Sequence, residues 1–250
     1  MSTPFITIHT VAYNEEKIVK YFIEHYRNRF PNCIIKIWDN FSKDNTVDIA
    51  KSMGCEVYYF DTDDKVCEDA ILTIKNNCWK DATTDWVIVC DIDELLDISQ
   101  DDLIAQEVMG YTIIQTTGYT VVNTDYSITE LDDMHYGFRD YPYDKNILFN
   151  KKYISEIKYE HGAHPNYHLP RIIGNVNIGS TKEFKLLHYK WLGREYTINK
   201  RAHLRDRGIS DFCKERNFRA EVVYEENEFP EWLSESHLNI YNRTDLIKIK

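Results

Sequence analysis

Short apolar runs of strand length alternate with helical patterns over the first 97 residues of the chain. The runs are rich in β-branched and aromatic residues, whereas the segments between them space their apolar side chains three and four residues apart. The predicted elements are, in order, strand Phe5–Val11, helix Asn14–Phe30, strand Cys33–Trp38, helix Thr46–Met53, strand Cys55–Phe60, helix Asp69–Ala82 and strand Trp86–Cys90. This alternation predicts βαβ units and a mostly parallel sheet, with the ends of the first, second and fourth strands at one edge.

The fourth strand runs directly into two aspartates, Asp91 and Asp93, which are followed by Glu94. Side chains alternate along an extended chain, so the two carboxylates on either side of Ile92 share one face. Carboxylates at the end of a parallel strand point into the crevice in which open α/β sheets bind ligands. The pair therefore predicts a site for Mg²⁺ or Mn²⁺ that bridges nucleotide phosphates. The alternative is a strand end with solvated acids.

Two other polar loops are expected beside that one. Thr10–Glu15 follows the first strand and Asp39–Asp44 follows the second, so all three loops meet at one edge of the sheet. Glu15 and Glu16 are expected in the first turn of the following helix, where the helix dipole favours acidic side chains.

The second half of the chain has weaker patterns. Strands are predicted at Tyr111–Thr116 and Tyr119–Asn123, possible partners in a hairpin, and residues 125–143 form a long polar and aromatic loop. Further predicted elements are strands Ile147–Phe149, Tyr153–Ile157 and Glu183–Trp191 and helix Glu195–Arg207. We expect one domain over residues 1–250, made of an N-terminal half (residues 1–97), a second half (residues 98–217) and a C-terminal extension (residues 218–250).

Composition excludes several classes of protein. A formal net charge of −11 argues against a nucleic-acid binder, which usually carries a basic face. The chain contains no apolar run of the roughly 20 residues that span a bilayer, although the cations of residues 182–219 leave peripheral membrane contact open. Six cysteines without metal-site spacing, and no leader peptide at the start, indicate a reducing, cytoplasmic compartment, or the host cytoplasm for a viral chain.

Four segments together resemble the motifs of the family 2-type glycosyltransferases. Thr10–Glu15 resembles the first-strand signature of that family, and Asp39–Thr46 resembles its D-x-S-x-D-x-T segment. Lys75-Asn76 stands where the family often has Arg-Asn, and Asp91–Glu94 resembles its D-x-D motif in the D-x-D-E form. Three later segments are similar to those of short bacterial and viral-type members: Tyr143–Lys145, Gly162–His164 and Leu186–Lys190.

The resemblance implies a GT-A-like, Rossmann-like α/β fold: a three-layer sandwich with a mostly parallel central sheet and a small mixed C-terminal part. It also implies a metal-dependent hexosyl- or deoxyhexosyltransferase. Such an enzyme moves a sugar from a nucleoside-diphosphate sugar, most often a UDP-sugar, to a saccharide acceptor of a glycan, glycolipid or glycoprotein, here with inversion. The residues it implies at the donor are Thr10, Ala12, Tyr13, Glu15, Asp39, Asn40, Lys75, Asp91, Ile92 and Asp93.

The resemblance gives separate roles to several of these residues. Asp39 would accept a hydrogen bond from the nucleobase, with loop capping as the alternative. Asp91 and Asp93 would hold Mn²⁺ or Mg²⁺ and contact the donor, with Asp93 as the better direct ligand. His188 is the expected third metal ligand and His164 the second choice, because a neutral imidazole suits Mn²⁺.

The general base is the least defined part of the expected site. An inverting enzyme needs a group that takes the acceptor proton within hydrogen-bond reach. The family usually places an Asp well after the D-x-D motif, and this chain has no clear equivalent. Asp144 and His164 are the two candidates.

Three alternative functions agree less well with the sequence, and two of them, a sugar nucleotidyltransferase and an inactive relative, are kept as alternatives. A sugar nucleotidyltransferase has a similar sheet but usually has a glycine-rich loop after the first strand, where this chain has none. A phosphatase of the haloacid dehalogenase type places its D-x-D motif on the first core strand, whereas three βα units precede the motif in this chain. An inactive carbohydrate-binding relative would bind nucleotide without turnover.

Overall fold

The computed structural model describes residues 6–123, 130–159, 172–216, 218 and 240–250. Up to the D-x-D motif, strands and helices alternate as the sequence predicts. The elements are β1 (Ile6–Ala12), α1 (Val19–Arg29), β2 (Ile34–Asp39), α2 (Thr46–Ser52), β3 (Glu56–Tyr59), α3 (Glu68–Asn77) and β4 (Trp86–Asp91).

After the D-x-D motif, short strands dominate the described residues. They are β5 (Glu94–Leu96), β6 (Ile113–Ile114), β7 (Thr117–Val122), β8 (Tyr136–Arg139), β9 (Leu148–Asn150), β10 (Ile154–Glu156), β11 (Ile173–Gly174), β12 (Ile178–Gly179), β13 (Lys185–Trp191) and β14 (Ile247–Lys248). The helices are α4 (Gln100–Val108), α5 (Arg194–Arg207) and α6 (Asp211–Glu215), and 3₁₀ turns lie at Leu131–Asp133, Tyr141–Tyr143 and Ile240–Asn242.

The larger sheet has seven strands in the order β12-β6-β9-β4-β1-β2-β3. β1 pairs in parallel with β2 and β4, and β2 pairs in parallel with β3, whereas β9 is antiparallel to β4 and β6. The predicted α/β fold class, with a mostly parallel central sheet, is therefore confirmed. β1, β2 and β4 are adjacent and share one direction, which places their carboxyl ends side by side.

A second sheet has five strands in the order β14-β8-β7-β13-β5. β13 runs parallel to β7 and antiparallel to β5, which follows the D-x-D motif. One hydrophobic cluster contains side chains from both sheets, including Ile8 of β1 and Leu186 of β13. This shared core supports the single-domain organisation, which stays a prediction.

α1 illustrates how the apolar pattern places a helix on the sheet. Its fully buried side chains, Val19, Phe22, Ile23 and Tyr26, follow the spacing of one helix face. The helix ends at Arg29, two residues before Pro31. None of the helices within the described ranges is long and apolar enough to cross a bilayer.

Two local predictions are wrong. α1 begins at Val19 with no acidic residue in its first turn, because the chain first turns through Asn14 in a left-handed conformation with φ of 54°. Glu15 and Glu16 lie in that turn instead. β6 and β7 do not form a hairpin either, because β6 pairs with β9 and β12 whereas β7 pairs with β8 and β13.

The prediction also missed α4, although its sequence carries a helix-start signal. The Ser99 side chain accepts a hydrogen bond from the backbone of Asp102, and the Asp102 carboxylate accepts one from the backbone of Ser99. This reciprocal capping box is visible in the sequence as Ser followed three residues later by an acid.

Candidate active site

A cleft of about 390 Å³ lies at the carboxyl ends of β1, β2 and β4. Its walls combine the loops that follow those strands with residues of α3, β13 and α5. The predicted site residues that line it are Ala12, Tyr13, Glu15, Asn40, Lys75, Asp91, Ile92, Asp93 and His188. The long-range strand order has therefore brought most of the expected site together.

Two lysines hold the Asp91 carboxylate. Lys75 of α3 places its Nζ 2.5 Å from Oδ1, and Lys145 places its Nζ 3.5 Å from Oδ2. Lys145 is itself buried against Glu94, and the Glu94 Oε2 accepts a hydrogen bond from the Asp91 backbone N–H at 3.0 Å. Burial raises the pKa of Glu94, and the charge of Lys145 opposes that rise. This buried chain of alternating charges fixes the first aspartate of the motif.

Asp93 faces His188 across the cleft, with Oδ2 3.5 Å from the imidazole Nε2. On the other side of the ring, Nδ1 lies 3.4 Å from the Thr120 hydroxyl, which donates its hydrogen to Asp140 at 2.6 Å. The Thr120 oxygen therefore accepts from Nδ1–H, and this assigns the lone pair of the neutral ring to Nε2. Tyr143 stacks on the imidazole at 3.9 Å between ring centroids and fixes its plane.

This arrangement sets two acceptors, a carboxylate oxygen and an imidazole nitrogen, against each other. Two lone pairs at that separation repel unless a proton or a metal cation lies between them. Burial by itself raises the pKa of Asp93; with a proton between the two groups, the charge and hydrogen bond of His188 outweigh burial and lower that pKa to about 2. Carboxylate and imidazole are both ligands of Mn²⁺, so Asp93 and His188 fit a divalent cation.

The predicted three-residue metal set is not assembled. Asp91 is held by its two lysines, and in the described part of the chain no three His, Cys, Asp or Glu side chains are grouped to hold a metal ion. Asp91 thus has a different environment from Asp93 and His188, and the metal ligands stay a prediction.

Asp39 is fully buried and lies outside the cleft lining. Its Oδ1 accepts a hydrogen bond from the Ser42 hydroxyl at 2.5 Å, and its Oδ2 accepts one from the Ser42 backbone N–H at 2.8 Å. Burial raises the pKa of Asp39, and the hydrogen bonds from Ser42 oppose that rise. The carboxylate shapes the loop after β2, so its role at a nucleobase stays a prediction. Thr10 is also buried in β1 and does not line the cleft.

Tyr13 and Asn40 form the outer part of the cleft together with Arg207 of α5. The Arg207 guanidinium lies 3.6 Å above the Tyr13 ring and donates to the Asn40 side-chain oxygen. Arg207 also donates to Asp64 at 3.1 Å. Sequence reasoning predicted the helix but did not connect it with the site.

Lys200 of α5 is a second residue that the sequence reasoning missed. Its Nζ lies 2.7 and 2.9 Å from the two carboxylate oxygens of Glu15. Burial raises the pKa of Glu15 to about 6, and Lys200 opposes this rise. The pKa of Lys200 is raised despite its burial, because Glu15, Tyr196 and Asp93 surround it with negative or polar oxygens. The sequence contains one signal for this role of α5: its cleft-facing residues recur every three or four positions, as expected for one face of a helix.

The two candidate bases have different outcomes. Asp144 does not line the cleft, because its Oδ1 accepts from the Gly118 backbone and its Oδ2 accepts from Arg139 at 2.5 Å. This pairing directs the carboxylate to β7 and β8 and does not favour a base role. His164 lies outside the described residues, as do His161 and His168, the other histidines of its cluster.

Sequence comparison places these features in one family. The family model described as "Glycosyl transferase family 2" matches residues 7–160, which is more than half of the chain and includes the motifs after β1, β2 and β4. No curated protein sequence gives a significant match.

Three solved structures illustrate distant likenesses in fold. Glucosyl-3-phosphoglycerate synthase from Mycobacterium tuberculosis, in complex with Mn²⁺, UDP and glucosyl-3-phosphoglycerate, is 16% identical with a TM-score of 0.34; the match covers 46% of this chain and 44% of that one. S. aureus TarS 1-349 is 13% identical with a TM-score of 0.43, covering 94% and 79%. Mannosyltransferase PcManGT from Pyrobaculum calidifontis, in complex with GDP-Man and Mn²⁺, is 12% identical with a TM-score of 0.46, covering 87% and 65%.

Proposed function

The chain belongs to glycosyl transferase family 2 and is a glycosyltransferase, and on that premise we propose that it transfers a sugar from a nucleoside-diphosphate sugar to a saccharide hydroxyl with inversion. A UDP-sugar is the favoured donor. The acceptor belongs to a glycan, glycolipid or glycoprotein. The reaction takes place in the cleft at the ends of β1, β2 and β4.

The pairing of Asp93 with His188 carries this proposal. A carboxylate oxygen and an imidazole nitrogen face each other at 3.5 Å, with the ring held by Thr120 and Tyr143. Asp93 and His188 would hold Mn²⁺ or Mg²⁺ there. The cation supplies Lewis-acid neutralisation of the leaving diphosphate.

The other charged residues of the cleft bind and orient the donor. Lys75 lies beside Asp91 and adds a positive charge near the phosphates. Lys75 and Lys145 hold Asp91 in place, so that its carboxylate can accept hydrogen bonds from the hydroxyls of the donor. Tyr13 and Asn40 line the part of the cleft that we assign to the nucleoside.

His164 is the proposed general base. Asp144 is directed to Arg139 and the Gly118 backbone, and of the two predicted candidates this leaves the histidine. We also propose a cytoplasmic location, which the six unpaired cysteines support.

Thermal unfolding with UDP, GDP, CDP and dTDP, each with and without Mn²⁺, tests the donor site. A ligand that binds only the folded protein stabilises it by roughly 2.7 kcal/mol at 100 times its dissociation constant. We expect a Mn²⁺-dependent stabilisation by one nucleotide in the wild type and its loss in Asp93→Ala. Asp97→Ala is a matched control, because Asp97 pairs with Arg29 on the exposed surface. No stabilisation by any nucleotide would contradict the donor site.

A further inference from the structure

The side of α5 that faces the cleft has several cationic side chains, whereas the inward-facing side of a helix is ordinarily apolar. Its cleft-lining side chains are Thr197, Lys200, Arg201, Leu204 and Arg207, which recur every three or four residues and form one stripe. Positive charge that is withdrawn from water costs free energy unless an opposite charge meets it. A cationic stripe over a cleft therefore suits an anionic ligand.

Lys200 is the cation of this stripe that pairs with Glu15. Its side chain is about one-third exposed, and both oxygens of Glu15 hold its ammonium at 2.7 and 2.9 Å. Asp93, one of the two proposed metal ligands, lines the same cleft as Lys200 and Glu15. The ammonium is thus held by the turn after β1 in the cleft that also contains the end of the D-x-D motif.

The other cations that line the cleft or lie near the D-x-D motif contact other residues. Lys75 and Lys145 hold Asp91, and Arg207 stacks on Tyr13 and bonds Asp64 at the outer end of the cleft. Lys200 instead pairs with Glu15 and lines the same cleft as Asp93. A diphosphate bound in this cleft near Asp93 would therefore be within the part of the site that Lys200 lines.

We propose that Lys200 binds the diphosphate of the donor and neutralises it as the leaving group. This inference rests on the proposed function. Glu15 positions the ammonium in the cleft through its two hydrogen bonds. An ammonium has three N–H groups, so it can contact Glu15 and a phosphate oxygen together.

A purely structural ion pair between Lys200 and Glu15 makes a different prediction. If Lys200 only neutralised the buried Glu15, removing both charges would restore both the stability and the diphosphate affinity that are lost when Lys200 alone is removed. If Lys200 binds the diphosphate, removing both charges restores stability but leaves diphosphate affinity low.

Calorimetry on the full chain with Mn²⁺ distinguishes the two roles. The ligands are UDP, GDP, CDP and dTDP. For the nucleoside diphosphate that the wild type binds, ligand-observed NMR measures the affinity for the corresponding nucleoside in parallel. The variants are Lys200→Met, Glu15→Gln and the double variant Glu15→Gln/Lys200→Met. The control is Lys214→Met, an exposed lysine of α6 that pairs with Asp211 at 3.2 Å.

We expect both variants that lack Lys200 to bind the diphosphate at least tenfold more weakly than the wild type, with nucleoside affinity changed less than twofold. Glu15→Gln should bind the diphosphate at least as tightly as the wild type, and the double variant should recover the melting temperature that Lys200→Met loses. Lys214→Met should stay within twofold.

Two results overturn the inference. A double variant that binds the diphosphate as tightly as Glu15→Gln would show that Lys200 is only the counter-ion of Glu15, while the proposed function stands. A wild type that binds no nucleoside diphosphate with Mn²⁺ would reject the proposed function and this inference together.

Discussion

Lys145 Nζ lies 3.5 Å from Asp91 Oδ2, although 54 residues separate the two in the chain. The same ammonium contacts Glu94, which is fully buried. A lysine of the loop before β9 thus neutralises the carboxylates at the end of β4. The charge network around the D-x-D-E motif is therefore completed by a residue from the second half of the chain.

Replacing Lys145 with Met should strongly destabilise the fold. Breaking a buried ion pair by removing one partner typically costs about 3–5 kcal/mol, because the other charge stays buried without compensation. Urea unfolding should show this loss, and the additional change Glu94→Gln should recover part of it. Lys182→Met is the matched control: its pair with Asp102 is exposed and should contribute less than about 1 kcal/mol.

Thr120→Val should weaken Mn²⁺ binding without touching a metal ligand. The Thr120 hydroxyl accepts a hydrogen bond from Nδ1 of His188 and so keeps the lone pair of the ring on Nε2, and the loss of such an outer partner typically costs about 10- to 100-fold in metal affinity. A Mn²⁺ titration followed by electron paramagnetic resonance measures this loss. His188→Ala should bind Mn²⁺ more weakly still. A Thr120→Val variant with wild-type Mn²⁺ affinity would contradict the assignment of the His188 lone pair to Nε2.

His164→Ala should lower kcat by about 10²- to 10⁴-fold, the range typical for removal of a general base. Asp144→Asn should retain turnover within a few-fold, because Arg139 and Gly118 hold that carboxylate away from the cleft. Transfer rates at saturating donor and acceptor compare the two variants. The reverse ranking would restore Asp144 as the base.

His9 should make the fold sensitive to mild acid. Its imidazole is buried in β1 with no hydrogen-bond partner in the described part of the chain, and burial, with the nearby charges of Lys36 and Lys151, lowers its pKa from 6.5 to about 3. Below pH 6.5 the unfolded chain binds a proton that the folded chain does not. Stability is therefore complete above about pH 6.5 and falls as the pH drops towards 3.

Urea unfolding at pH 7.5 and pH 5.0 measures this effect. The difference between the two free energies of unfolding should shrink in His9→Val, whatever the absolute stability of the variant. Some difference should persist, because burial also lowers the pKa of His25 to about 3. An unchanged difference in His9→Val would show that His9 is not the acid-sensitive group.

The local pattern of the sequence determined the alternating elements of the first half. Apolar spacing distinguishes the strands from α1, α2 and α3, and parallel strands with right-handed crossovers must bring the loops after β1, β2 and β4 to one edge. The position of Asp91 and Asp93 in the cleft follows from that rule alone. The boundaries of α5 were predictable for the same reason, since helical periodicity is a property of neighbouring residues.

Only the tertiary structure decided which charges meet inside the cleft. Lys145 reaches Asp91 across 54 residues, and Lys200 reaches Glu15 across 185. Nothing local selects such partners, because an ion pair depends on how two distant elements pack and on how far that packing excludes water. The same reason explains why β6 and β7 separate into two sheets and why the Gly118 backbone of β7 holds Asp144. The sequence thus determined the edge of the sheet at which the site forms, and non-local packing decided which side chains complete it.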